Sequence, residues 1–133
     1  MQTTRFTLVL GVKEGYDSTR MFIDDPFETL RDVVEMAKAL ADEVERETKA
    51  YVSFVASFGL CGYKKEWGCP YGGEYVVTLT GERNPLYCDD AIAYGKAWES
   101  LAKKLKAHYK QTTARLFSED VSLTYFKDGD VSK

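Results

Sequence analysis

One histidine, three prolines and three cysteines in 133 residues leave few of the ingredients from which common active sites are assembled. A single imidazole, His108, excludes most chemistry that needs several histidines. An odd number of cysteines suits reduced thiols better than a disulfide framework. Long apolar runs are also missing. The most apolar stretch, Phe6 to Val12, falls far short of the roughly 20 residues that cross a bilayer. The leading Met-Gln-Thr-Thr-Arg opens onto strand-like alternation, not a secretory core. A cytoplasmic protein, away from the membrane, is expected. Basic charge is not in excess either, because 18 Lys and Arg face 21 Asp and Glu. The resulting net charge of −3 disfavours a protein whose work is to coat nucleic acid.

What the chain does have is a core. Apolar residues make up 44% of it and charged residues 29%, the balance of a domain that buries roughly two-thirds of its unfolded surface. No repeat, low-complexity segment or linker divides it. One α+β domain over residues 1–127, with residues 128–133 as a loose tail, is the expected organisation.

Periodicity places the elements. Phe6, Leu8, Leu10 and Val12 alternate with Arg5, Thr7, Val9 and Gly11, the pattern of a half-buried first strand. Asp25-Pro26-Phe27-Glu28 then supplies an N-cap, a first-turn proline and a glutamate at the third helical position. The helix it starts carries Phe27, Leu30, Val33, Val34, Ala37, Leu40, Ala41 and Val44 on one face. Residues 51–60 alternate again, with Val52, Phe54, Ala56, Phe58 and Leu60 inward, and Tyr75, Val77 and Leu79 mark a third strand. Asp89 or Asp90 caps a second helix whose buried stripe is Tyr94, Trp98, Leu101, Leu105 and Tyr109. Residues 112–126 read as one bent strand or a terminal hairpin.

Strand, helix, strand, strand, helix, strand is the order of the ferredoxin-like split βαββαβ fold, an antiparallel sheet with two helices on one face. That topology gathers the loops at 11–25, 60–73 and 110–113 at one pole and those at 47–51 and 81–89 at the other. The long loop between the second and third strands holds five of the ten glycines, two of the three cysteines and one of the two tryptophans. Loops of that length on a compact domain are commonly functional. Its pole collects aromatics and cations: Arg20, Tyr63, Lys64, Lys65, Trp67, Tyr71, His108 and Lys110. These are the expected binding residues. A tryptophan beside cations is the composition of a binding hot spot, so the leading expectation is a noncatalytic binder or inhibitor of an acidic protein surface. The alternative is a module for a small anionic, phosphate-bearing or nucleotide-like ligand, with cations on the phosphate and an aromatic stack.

Catalysis ranks below both. Cys88, just before the second helix, could gain thiolate character from the helix dipole, with Arg83 and Asn84 as anion-binding neighbours. It lacks a nearby base, since His108 sits about five turns away. Cys61, Cys69, Cys88 and His108 would make a zinc set by type, but the spacing is poor and Cys88 lies at the opposite pole. Only Cys61 and Cys69 could meet. No cofactor is expected. The helix-free face, with Val9, Val55, Val76 and Phe126 among hydroxyl residues such as Ser122 and Thr124, is expected to pair two copies of the chain.

Overall fold

A computed structural model describes residues 1–12 and 25–129. Arg20 lies outside the described residues, as does most of the expected tail. The elements are β1 (Gln2–Gly11), α1 (Pro26–Thr48), β2 (Val55–Cys61), a 3₁₀ turn (Lys65–Trp67), β3 (Glu74–Glu82), α2 (Ala91–His108) and β4 (Arg115–Ser122). The strands form one antiparallel sheet in the order β2-β3-β1-β4. This is the expected split βαββαβ arrangement.

Local chemistry starts and stops the helices. The Asp25 carboxylate accepts from the amides of Phe27 and Glu28 at 3.1 and 3.2 Å, so two N–H groups that the helix cannot pair internally are satisfied. Lys49, left-handed at φ 69°, ends α1. Asp90 caps α2 through the Ala93 amide at 2.9 Å. Both helices lie over the same face. Lys104 of α2 reaches Glu43 and Glu47 of α1 at 2.8 and 2.9 Å. Hydrogen bonds to those two carboxylates raise the lysine's pKa, and the bond to Lys104 lowers that of Glu47. The contact is solvent-exposed and adds little stability.

Beneath the helices Leu8, Leu10, Val77, Leu79, Val33, Val44, Leu101 and Leu105 are buried. Trp98 is fully enclosed and stacks on Phe6 with ring centroids 5.9 Å apart. Gly81 makes this possible: a side chain there would strike the Ser53 carbonyl oxygen and come within 3.1 Å of Trp98 Cζ2.

Several expectations need correction. β2 begins at Val55, not near residue 51, although Val52 is buried; its ladder with β3 starts at the pair Val55 and Thr80. Phe27 and Leu60 are exposed, because each sits at the end of its element beyond the cover of the opposing layer. The last segment is one strand through Ser118-Glu119-Asp120. The register pairs Val9 with Arg115, Thr7 with Phe117 and Arg5 with Glu119, so those three β4 residues occupy the helix-free face. Ser122 has the opposite parity and shares that of Leu116, which packs on the core. One strand was among the readings of this segment, but the expected place of Ser122 on the helix-free face is out of phase by one residue, which changes the face, and Thr124 and Phe126 lie beyond the end of β4.

The close approach at Gly81 generates a prediction. Gly81→Ala should lower stability by about 1–3 kcal/mol, since the obstructing atom is backbone and cannot swing away. Chemical denaturation checks this; a midpoint equal to wild type would mean that β2 is free to move off Gly81.

Candidate functional site

Glycine decides the shape of the working end. β2 and β3 extend to Cys61 and Glu74, and the segment between them turns through left-handed glycines at Gly68, Gly72 and Gly73. At Gly73 a side chain would also crowd the Cys61 carbonyl at 3.1 Å, so two reasons keep it glycine. The turn Lys65–Trp67 puts the Trp67 ring over the sheet end, with Lys64 Nζ 5.9 Å from its centroid.

A groove of about 450 Å³ results. Its floor is the helix-free face: Val9 and Gly11 of β1, Glu74 and Val76 of β3, Cys61 of β2 and Arg115 of β4. Gly62, Tyr63 and Trp67 wall one side, and the α2–β4 connection, through Gln111, Thr113 and Ala114, walls the other. The Arg115 guanidinium lies 3.9 Å from Cys61 Sγ and 5.7 Å from the Phe117 ring.

Two acceptors converge inside it. Glu74 is 9% exposed, and its Oε1 stands 3.1 Å from where a Gly11 Cβ would be. The Gln111 side-chain oxygen would overlap that same Cβ. Lys110 adopts φ 52° at the end of α2, which turns Gln111 back over the sheet, and Gln111 Nε2 donates to the Tyr109 carbonyl at 3.0 Å. That bond directs the amide oxygen toward Gly11. A missing side chain on β1 therefore leaves room for a carboxylate and an amide oxygen side by side, an arrangement that receives hydrogen-bond donors.

Of the expected binding residues, the structure brings Tyr63 and Trp67 into the groove and sets Lys64 beside Trp67. Lys65 is exposed on the 3₁₀ turn, and Tyr71 is fully exposed. Neither lines the groove. His108 is exposed in the last turn of α2, edge-on to the Tyr109 ring 4.8 Å away, and Lys110 is exposed beyond it. Sequence reasoning missed Glu74, Gln111, Gly11 and Arg115. The available signal for Glu74 was strand parity, since it shares the alternation of Val76 on the open face.

The thiols are separate. Cys61, Cys69 and Cys88 are free, and Cys69 Sγ sits 4.0 Å from the Cys61 carbonyl oxygen. Among the described residues no three His, Cys, Asp or Glu side chains cluster to hold a metal ion. At the other pole Arg83 Nη1 donates to the Cys88 carbonyl at 2.9 Å, and Asn84 Oδ1 accepts from the Leu86 amide at 3.0 Å. Both side chains shape the turn before α2. Among the described residues no helix is long and apolar enough to cross a membrane.

Trp67 is 70% exposed, which separates its contribution to the groove from any contribution to folding. Trp67→Ala should leave stability within about 0.5 kcal/mol of wild type. A fall in melting temperature of many degrees would show that the ring is buried in solution.

Comparison with known proteins supplies what the motifs do not. The fold resembles a phage SAM lyase in its apo state, with 15% identity, a TM-score of 0.52, and coverage of 95% of this chain and 94% of that one. It likewise resembles a phage SAM lyase in complex with S-methyl-5'-thioadenosine, with 13% identity, a TM-score of 0.50, and coverage of 94% and 93%. At these identities the likeness establishes the fold. No curated protein matches by sequence. The family model for SAM lyase, however, matches residues 1–127. That match overturns the expectation of a noncatalytic binder or inhibitor, and the ligand-module alternative fits no better, because the family is one of enzymes. With all but the last six residues included, the chain belongs to the SAM lyase family.

Proposed function

We propose that this protein cleaves S-adenosylmethionine at its sulfonium centre, releasing methylthioadenosine, in the groove over the helix-free face. The observation that carries the reading is the family match across residues 1–127, and the groove's composition supports it. A lyase breaks the bond without water and without redox change. The bond between sulfur and the γ-carbon of the amino-acid chain opens, and its electron pair returns to sulfur as a neutral thioether. The substrate's own carboxylate oxygen closes on that carbon, giving the five-membered lactone of homoserine. Atoms and charge balance, and no proton has to move.

Such a step destroys a positive and a negative charge together. Its transition state is less polar than the bound substrate, so walls that exclude water favour it. Val9, Val76, Ala114 and the rings of Tyr63 and Trp67 form walls of that kind. The rings also suit a purine face or a sulfonium cation. Glu74 and Gln111 receive donor groups of the substrate, and Arg115 meets the substrate carboxylate. These roles position the substrate, and the nucleophile is the substrate's own.

Incubation of the purified protein with S-adenosylmethionine should yield methylthioadenosine and homoserine lactone in equal amounts by mass spectrometry. Glu74→Gln should lower kcat/KM roughly 10- to 100-fold, the worth of a charged hydrogen bond. Gly11→Ala should do likewise by pushing Gln111 out of the groove. Unchanged substrate beside a folded protein would defeat the proposal. Homoserine with solvent oxygen on its γ-carbon would make the reaction a hydrolysis instead.

Self-association through the helix-free face is part of this proposal, as is a cytoplasmic place of work, which the three free thiols suit. Val55 is 74% exposed and Phe117 half-exposed on that face, and Phe117 lies beside Arg115 of the groove. A second copy covering them would further dry the site. Sedimentation should show an oligomer that Val55→Glu disperses; a wild-type monomer at high micromolar concentration would remove this element.

A further inference from the structure

Arg115 makes a contact that strand order alone does not provide for. In the order β2-β3-β1-β4 the strands β2 and β4 are opposite edges of the sheet, yet the Arg115 guanidinium of β4 stands 3.9 Å from Cys61 Sγ of β2. The sheet therefore curls at this end until one side chain reaches across, and the guanidinium spans the groove between the two edges. Among the described residues no carboxylate pairs with it.

Two neighbours hold this cation, and they hold it differently. A thiol sulfur is a weak acceptor, and a bond of 3.9 Å to it is readily exchanged for a better one. The Phe117 ring, 5.7 Å from the guanidinium carbon, lies two residues further along the same strand and on the same face. A ring face attracts a guanidinium without using its N–H donors. An anion entering the groove can thus displace the sulfur and take those donors while the ring contact persists. Phe117 is 51% exposed and does not itself line the groove. Its reach into the groove is through Arg115.

We infer that Phe117 is a positioning residue: its ring fixes the Arg115 guanidinium so that the N–H edge meets the carboxylate of a sulfonium amino acid, and this rests on the lyase reading of the groove. The carboxylate held in this way is also the group that closes on the γ-carbon. The orientation of the guanidinium therefore aims the nucleophile.

Calorimetry with two uncleaved probes tests it. Sinefungin keeps the adenosine and the amino-acid carboxylate, whereas methylthioadenosine lacks the carboxylate. Phe117→Leu should weaken sinefungin about fivefold, the size of a lost cation–π contact, and leave methylthioadenosine within about twofold of wild type. Phe117→Trp should bind sinefungin at least as well as wild type. In the Arg115→Ala background Phe117→Leu should cost nothing further, since the two side chains act as one unit. With S-adenosylmethionine as substrate, Phe117→Leu should lower kcat/KM by the same factor as its sinefungin affinity, and its sedimentation should match wild type. Equal losses for both probes, an unchanged sinefungin affinity in Phe117→Leu, additive losses with Arg115→Ala, or a loss that accompanies a change of oligomeric state would each overturn the assignment. A selective loss of sinefungin in a protein that leaves S-adenosylmethionine intact would defeat the lyase reading and still support the hold of Phe117 on Arg115.

Discussion

The seating of Trp98 between Phe6 and Gly81 is the contact on which the rest of the molecule depends. An indole is the largest side chain that the sheet must accept, and it is accepted only because β3 has no side chain at Gly81. With the ring in place α2 lies flat on the sheet, Tyr94 follows onto Phe6, and Lys104 comes within reach of α1. Both helices are thereby committed to one face. The other face is left to the solvent and to whatever binds there.

That commitment gives the two faces of the sheet different surroundings. Antiparallel pairing of β1 with both β3 and β4 carries Gly11, Val76 and Arg115 to the same end of the open face, and the long β2–β3 connection folds over it. Glycine has opposite meanings at the two poles. Gly81 admits a hydrophobic ring from the helix side, whereas Gly11 admits polar atoms from the groove side. The first closes a core and the second opens a site.

The chemistry attributed to the groove also explains why no motif announces it. A reaction that uses the substrate's own carboxylate as nucleophile needs no activated serine or cysteine, no metal and no histidine. A single imidazole and three scattered thiols look like an absence of catalysis when catalysis is equated with those groups. What the groove offers instead is shape, aromatic and apolar walls and a few well-placed acceptors, and such properties have no fixed spacing along a chain.

Much of the architecture was legible from local rules. The alternation in β1 and β3, the Asp25-Pro26 helix start, the Asp90 cap and the Tyr94-Trp98-Leu101-Leu105 stripe depend on neighbours within a few residues, and each is where periodicity and capping place it. The 59–73 segment stood out by composition, and Tyr63 and Trp67 from it line the groove. Tertiary structure decided the rest. The phase of β4 was set by pairing with β1, not by its own weak pattern. The meeting of Glu74 with Gln111 over Gly11 joins three segments far apart in sequence, through an absent Cβ and a left-handed Lys110. A linear reading sees one acid, one amide and one glycine; their convergence is a property of the sheet register and of how α2 ends.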